Sequence, residues 1–363
     1  MEKLVGIYHG YAQLIGLTSY RIVGGELKKS RMTEAYVLAW NIGTVFILAW
    51  MAWSAGYEDI KEMMMASLFP EMMSIIPLVV YSVNYAVIVY ILISRPYRDS
   101  MLYDLMDITN QLSRKMALAG RKTNLKLKKL LYLKSFALTY LTLGSFISLL
   151  FLKKGYFEVT LMGIAYSILN VSNYFYFTSF WQIVRGYDFV DQEIKNLTTT
   201  KSGSHVENFE EELRDLWSFH WTLSRMASRI SRVYGVQMIV SRTEYVLFSV
   251  VFGYVGIICM FQGLSLNILH VGLIYLVRTL DFFLIDVICD MTARYQNQPK
   301  HELVEGELNQ KALSAYLIYE SSMRLDLKVC GLYFSNRGRW LEMMGAIACH
   351  ATLLLQFHLT LSK

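Results

Sequence analysis

Long uncharged stretches separated by polar, basic segments dominate the sequence pattern. At a rise of about 1.5 Å per residue, about 20 apolar residues form a helix that crosses the hydrocarbon core of a membrane. Residues 245–277 carry no charge and exceed one comfortable span, so we expect a tight turn at Gly263, Ser265 and Asn267. The pattern predicts seven transmembrane helices, at residues 35–54, 72–94, 135–152, 159–184, about 240–262, about 267–289 and about 341–360.

The sixth predicted span is unusual because it contains Arg278, Asp281 and Asp286. Each such residue costs about 2.5–3.5 kcal/mol at the centre of a membrane helix on insertion scales. Arg278 and Asp281 are three positions apart, so both lie on one helical face and can pair. We expect an intramembrane ion pair between them that faces the helix bundle. A gating or ion-path element is the functional alternative.

Basic residues are distributed unevenly among the segments that connect the predicted spans. The segments 1–34, 95–130, 185–233 and 290–339 hold 28 of the 35 Lys and Arg residues. The opposite side holds only Lys61, Lys153, Lys154 and Lys363. Because Lys and Arg collect on the cytoplasmic side, we expect the N-terminus inside and the C-terminus outside, the reverse of a G-protein-coupled receptor.

Three of the segments on the basic side show helical periodicity of their own. Apolar residues recur every three or four positions in 101–118, 207–227 and 302–326. This pattern predicts amphipathic helices that extend the transmembrane bundle into the cytoplasm.

The composition supports a polytopic membrane protein and excludes an ordinary soluble domain. The chain is 54% hydrophobic and 18% charged, whereas soluble domains contain about 25% charged residues. The net charge of +6 suggests nucleic acid in a soluble protein, but here the cytoplasmic bias of Lys and Arg explains it. We therefore expect membrane lipid, and no nucleic acid, as a partner.

Motifs that carry enzyme chemistry are scarce. We find no Gly-rich phosphate loop and no pair of His or Cys residues at metal-ligand spacing, so we expect neither an enzyme nor a cofactor or metal. No inverted repeat relates the two halves of the chain, which argues against a secondary transporter.

The last predicted span carries small and polar residues every three or four positions. This polar stripe consists of Gly345, Cys349, Thr352, Gln356 and Thr360. Small residues often mark close helix packing, and Gln can cross-link helices, so the stripe can be a packing seam. The functional alternative is a pore, in which symmetric copies turn the stripe toward a common axis where water satisfies the polar groups.

The C-terminal sequence resembles the signature of insect gustatory receptors. The resemblance lies in Cys330-Gly331-Leu332-Tyr333-Phe334, Asn336-Arg337 and the stretch from Ala346 to Phe357. The family signature ends in Thr-Tyr, five apolar residues and Gln-Phe. Here Gln356 and Phe357 match in identity and spacing, whereas Cys349 and His350 stand in place of Thr-Tyr. Leu14-Ile15-Gly16-Leu17 also resembles the opening of the family.

The resemblance implies a tetrameric ligand-gated cation channel whose last helix lines the pore. It implies four parts: a cytoplasmic N-terminal segment (1–34), a six-helix ligand-binding bundle with cytoplasmic extensions (35–289), a cytoplasmic anchor (290–340) and the pore helix (341–363). Carried over to this sequence, Gln356 faces the pore with Cys349 and Thr352. Leu353 forms a hydrophobic gate, and Phe357 lies at the gate or subunit contact.

A ligand pocket is expected in the outer halves of the second, third, fourth and sixth spans. Aromatic walls with a few polar groups suit a small molecule, and the candidates are Tyr81, Phe146, Tyr166, Asn170 and His270. Because the sugar-receptor branch keeps Thr-Tyr, the resemblance implies a receptor for bitter or aversive tastants. It also implies homo- or hetero-tetramers with related subunits, in the plasma membrane of gustatory neuron dendrites.

Two other classes remain open at this point. A G-protein-coupled receptor needs an outside N-terminus and has Asp-Arg-Tyr or Asn-Pro-x-x-Tyr sequences at helix ends, which we do not find. A membrane transporter or enzyme needs a repeat or a catalytic pair.

Overall fold

The computed structural model describes residues 2–23, 26–65, 71–151, 156–200, 206–261, 266–305, 328–329 and 333–361. Helices dominate these residues, as the sequence predicts. In chain order they are α1 (Glu2–Leu14), α2 (Arg31–Met65), α3 (Glu71–Ile93), α4 (Arg95–Leu118), α5 (Leu125–Phe151), α6 (Tyr156–Thr200), α7 (Val206–Phe261), α8 (Leu266–Glu305) and α9 (Arg337–Leu361).

Two short antiparallel hairpins interrupt the helical pattern, and the expectation of an all-helical chain missed both. Strand β1 (Tyr20–Val23) pairs with β2 (Glu26–Lys29), and β3 (Lys328–Val329) pairs with β4 (Tyr333–Phe334). The first hairpin is fixed to the helices by Thr18 and Ser19, whose hydroxyls donate to the Asp99 carboxylate of α4 at 2.8 and 2.6 Å.

Three described helical segments are long and apolar enough to cross a membrane. By length and composition they are Arg31–Trp50, Leu125–Ile147 and Arg337–Phe357, and Ser82–Ile93 is a shorter apolar segment. They overlap the first, third and seventh predicted spans, and the shorter one overlaps the second. The other predicted spans fall on α6, α7 and α8, where charged residues lie within or beside the apolar stretches. Seven spans remain a prediction.

Helices α6, α7 and α8 are longer than a single membrane crossing requires. Helix α7 has 56 residues, which corresponds to roughly 84 Å, whereas a hydrocarbon core is roughly 30 Å thick. The amphipathic helix predicted at 207–227 and the predicted span at 240–262 thus form one continuous helix. The turn expected at Gly263 and Ser265 lies outside the described residues, as does most of the helix predicted at 302–326.

Helix α6 is the centre of the packing. It contacts α5, α7 and α8, and every residue from 171 to 181 is buried. A helix that is buried on all sides lies inside a bundle. The predicted amphipathic helix at 101–118 is confirmed as part of α4, which buries Met101, Leu105, Ile108, Leu112 and Met116 at helical spacing.

Local sequence explains two of the breaks between helices. Pro96 has no backbone N–H to donate to the preceding turn and is tolerated in the first turn of a helix, so α3 ends at Ile93 and α4 starts at Arg95. Gly16 ends α1 with a φ of +81°. A Cβ atom at Gly16 would lie 2.5 Å from Asn41 Oδ1, so a larger residue does not fit there.

Candidate functional site

Helix α9 has one face that packs inside the chain. Ile347 and Ala351 are buried on this face, and the helix packs against α7 and α8. At Gly253 of α7, a Cβ atom would lie 3.3 Å from the Ala351 Cβ, so the two helices approach closely. This seam is small and apolar, as expected where membrane helices pack closely.

The polar stripe lies on the opposite face of α9. Cys349 and Gln356 are exposed, and Leu353 is 58% exposed. At about 100° per residue these three side chains fall within roughly 60° of one another and face away from Ala351. Phe357 is 67% exposed and lies to one side of this face. The stripe is therefore not a packing seam within this chain.

The hydroxyl groups of the stripe are satisfied by their own helix. Thr352 donates to the Ala348 carbonyl and Thr360 to the Gln356 carbonyl, each at 2.8 Å. Such back-bonding leaves these hydroxyls without need of a partner outside α9. The Gln356 amide, which is acceptor and double donor, is thus the strongest polar group that the stripe presents outward.

Contacts at the start of α9 join it to α7 and α8. Asn336 caps the helix, because its Oδ1 accepts a hydrogen bond from the Arg339 backbone N–H at 2.9 Å. One residue earlier, the Ser335 hydroxyl donates to the Asp286 carboxylate of α8 at 2.5 Å. The Trp340 ring lies 4.8 Å from that of Phe283, also on α8.

Buried ion pairs connect the helices of the bundle, and they differ from the predicted pair. Asp281 pairs with Lys134 of α5 at 2.6 Å, and Asp286 pairs with Arg242 of α7 at 2.5 Å. Arg278 pairs instead with Glu244 of α7. The predicted Arg278–Asp281 pair is therefore wrong: each residue of that pair has its ionic partner on a neighbouring helix.

Sequence reasoning missed Lys134, Arg242 and Glu244 as functional or structural residues. The signal was present, because Arg242 and Glu244 lie inside the predicted fifth span and Lys134 directly precedes the third. A charged residue within an apolar span needs an opposite charge, and that partner can lie on any helix of the bundle.

The candidate pocket residues lie on helices that meet, and their sharing of one pocket remains a prediction. The Phe146 ring of α5 packs directly on Gly163 of α6, where a Cβ atom would lie 2.2 Å from the ring. Tyr166 and Asn170 follow on α6 about one turn apart, and both are half-buried, as is His270 of α8. Tyr81 belongs to α3, but its side chain lies outside the described part of the chain.

A separate apolar groove lies between α2 and α6, with a volume of about 310 Å³. Its lining consists of Tyr36, Ala39, Trp40, Gly43, Thr44, Ile47, Leu48, Leu161 and Ile164. None of the five predicted pocket residues contributes to this lining. It borders the apolar α2 segment in which Leu38, Ile42 and Phe46 are exposed.

A buried histidine marks the long extension of α7 that precedes its apolar part. The Nε2 atom of His220 lies 3.3 Å from the Gln296 carbonyl of α8, and its ring centroid lies 4.9 Å from that of Tyr187. Burial lowers the pKa of His220 to about 4, because the charged imidazolium loses its hydration. The imidazole is therefore neutral at physiological pH.

No cluster of three or more metal-ligating side chains occurs among the described residues.

The comparisons with known proteins identify the family. The profile of the 7tm chemosensory receptors matches residues 5–361. The chain belongs to the 7tm chemosensory receptor family. Members of this family are multi-pass membrane receptors rather than enzymes.

A sequence relative agrees with this family, and two solved structures share the fold of the chain. The chain is 42% identical over 300 residues to a Drosophila erecta protein provisionally named gustatory receptor 59b, which supports the predicted resemblance. The match covers 80% of this chain, which spans about half (51%) of the length of that relative. The fold is similar to the olfactory receptor OR5 of Machilis hrabei, with a TM-score of 0.68 at 12% identity over 98% of this chain and 97% of that one. The OR5 complex with eugenol gives the same TM-score at 11% identity and the same coverage.

Proposed function

We propose that the chain is a gustatory receptor that forms a tetrameric, ligand-gated, non-selective cation channel opened by small-molecule tastants. The observation that carries this proposal is the exposed polar stripe of α9. The exposed Gln356 amide on this face needs an environment other than lipid, since a lipid-facing amide is costly without a partner. Four copies around one axis provide that environment.

The gate of this channel follows from the order of residues along α9. A ring of Leu353 side chains dewets a narrow constriction, and its rotation away from the axis readmits water. Gln356 lies about one turn further on the same face and offers cations neutral oxygen ligands. A neutral ring discriminates weakly among cations, so we expect a poorly selective pore.

Seven spans with the N-terminus inside complete the proposal. The bias of 28 of 35 basic residues toward one side supports this orientation. It places the α4 helix and the extensions of α6, α7 and α8 in the cytoplasm, where they form the assembly base. In this arrangement the α9 helix ends at the outer surface.

The ligand is a small organic molecule in a pocket among Phe146, Tyr166, Asn170, His270 and Tyr81. The related fold solved with eugenol supports a small-molecule ligand of this general kind. The replacement of Thr-Tyr by Cys349 and His350 supports the bitter or aversive class over sugars. The receptor would act in the plasma membrane of gustatory neuron dendrites, alone or with related subunits.

The test is current recording from cells that express this chain, with surface expression verified, while bitter compounds and sugars are applied. Bitter compounds should evoke an inward cation current, and this current should persist when G-protein signalling is blocked. Cross-linking in native-like lipid should give a tetramer. A monomer that conducts, or a response that requires a G protein, would contradict the proposal.

A further inference from the structure

The β1–β2 hairpin holds two like charges directly opposite each other. Its antiparallel register pairs Arg21 with Lys28, and both side chains are exposed. Side chains in such a pair have Cβ atoms about 4.5–5.5 Å apart, and like charges there destabilise the hairpin. A bound anion between the two side chains would remove this repulsion.

The hairpin is fixed in place with this face outward. The Tyr20 ring lies 6.0 Å from that of Tyr103 on α4. The backbone N–H and the hydroxyl of Ser19 both donate hydrogen bonds to the Asp99 carboxylate of α4. Successive side chains of a strand point to opposite faces, so Arg21 lies on the face away from α4.

Further positive charge follows the hairpin in the chain. Residues 20–34 contain four basic and two acidic residues, and one of the acidic residues, Glu34, pairs with Lys29 at 2.8 Å. Arg31 is exposed.

The position of this surface identifies the anion. Arg31 is the first residue of the apolar segment Arg31–Trp50, which by length and composition can cross a membrane, and such a crossing would place the hairpin at the level of the lipid headgroups. The cytoplasmic leaflet carries anionic lipids that attract basic residues next to a span. We propose that Arg21, Lys28 and Arg31 bind the headgroup of an anionic phospholipid of the inner leaflet. Only the choice of leaflet rests on the orientation in the proposed function.

The experiment uses the full chain in bilayer nanodiscs of phosphatidylcholine, with and without phosphatidylserine. Phosphatidylserine should raise the melting temperature of the wild type and be retained on the purified protein, as measured by mass spectrometry. The double variant Arg21→Gln/Lys28→Gln should lose this rise and retain roughly tenfold less phosphatidylserine relative to phosphatidylcholine. In phosphatidylcholine alone it should melt at the same or a higher temperature than the wild type, because the repulsion is gone. Both leaflets of a nanodisc are alike, so the result is independent of orientation and of channel activity.

The matched control is Lys126→Gln/Lys129→Gln. These lysines are exposed near the start of α5, at the head of another apolar segment, and the charge change is the same. The control should keep the preference for phosphatidylserine.

Three outcomes would contradict the proposal. An equal loss of phosphatidylserine retention in both double variants would mean a general charge effect and would overturn the site. A lower melting temperature of the hairpin variant in phosphatidylcholine would assign the pair a structural role instead. Stabilisation by inorganic phosphate alone, equal to that by phosphatidylserine, would identify a free-anion site and overturn the lipid assignment.

Discussion

Ser335 and Asp286 form a hydrogen bond of 2.5 Å between the segment that leads into α9 and the buried face of α8. The same carboxylate pairs with Arg242 of α7. One buried acid thus holds together the start of the proposed pore helix and two helices of the bundle. A ligand that shifts α7 against α8 would move the start of α9 through this acid.

The first prediction concerns this connection. Asp286→Asn leaves the buried Arg242 guanidinium without a counter-charge and should destabilise the receptor by about 3–5 kcal/mol. Ser335→Ala removes one hydrogen bond to a charged group and should cost about 1.5–3 kcal/mol. Thermal unfolding in nanodiscs measures both. The control is Arg339→Ala, which breaks an exposed pair with Glu342 and should cost less than about 1 kcal/mol. Equal effects of Arg339→Ala and Asp286→Asn would contradict the connection.

A second prediction tests the corrected ion pairs by double-mutant cycles. Lys134→Met or Asp281→Asn should each destabilise strongly, because each leaves a charged partner buried. The double variant should cost clearly less than the sum of the two. The coupling energy of Arg278→Gln with Asp281→Asn should be clearly smaller than that of Lys134→Met with Asp281→Asn, because Arg278 pairs with Glu244. A larger coupling energy between Asp281 and Arg278 than between Asp281 and Lys134 would support the Arg278–Asp281 ion pair that the sequence predicted.

The third prediction concerns acid stability. The folded-state pKa of His220, about 4, lies below its ordinary value of 6.5, so the unfolded chain takes up a proton first as the pH falls. The stability that neutral His220 provides is complete above about pH 6.5 and is lost as the pH falls toward about 4, by roughly 3 kcal/mol. Melting temperatures across this range should fall less for His220→Gln. The exposed His350 offers a control, and His350→Gln should leave the pH profile unchanged. An identical profile for wild type and His220→Gln would contradict the assignment.

The sequence alone predicts those features that depend on local pattern. The run of apolar residues in 72–94 corresponds to α3 (Glu71–Ile93), and that in 341–360 lies inside α9 (Arg337–Leu361). Helical spacing also places Leu353 and Gln356 on one face. Such features follow from the rise and turn of a helix and need no knowledge of its neighbours.

The missed features depend on tertiary contacts or on continuity. Spacing suggested a partner for Arg278 only on its own helix, whereas packing supplied Glu244 from α7. The sequence did not predict that 207–227 and 240–262 belong to one continuous helix, α7. The polar residues between them are compatible both with a break and with a solvent-exposed stretch of helix. The β1–β2 hairpin had a local signal, since the Gly24-Gly25 pair, which is favoured in two-residue hairpin turns, follows the strand-forming residues Tyr20, Ile22 and Val23.

The fourth prediction tests topology. With seven spans and the N-terminus inside, an epitope after Lys363 should be stained on intact cells. An epitope before Met1 should be stained only after permeabilisation. An epitope in the acidic 55–71 segment, between the first two predicted spans, should be accessible from outside and serves as an internal check. Staining of the N-terminal epitope on intact cells would contradict the orientation and the channel proposal, and staining of both terminal epitopes on the same side would contradict seven spans.

The last prediction concerns the pore. Leu353 and Gln356 occupy the same exposed face of α9, opposite Ala351, so both would face a common axis in the proposed tetramer. Leu353→Ala should widen and wet the constriction and raise the current without ligand. Gln356→Glu should add a ring of carboxylates where water is scarce, and the low dielectric there strengthens each interaction. Cation permeability ratios and block by divalent cations should therefore change.

His350 provides the matched control for this pore assignment. It is exposed on α9 but lies about 120° around the helix from Gln356. His350→Tyr should therefore leave selectivity unchanged. Reversal potentials under bi-ionic conditions, recorded for Leu353→Ala, Gln356→Glu and His350→Tyr, test which face of α9 lines the pore. If His350→Tyr shifts them while Gln356→Glu leaves both reversal potentials and block unchanged, the axis assignment is wrong. The polar stripe is then a surface for packing between subunits, because its exposure within one chain already excludes a seam against α7 or α8.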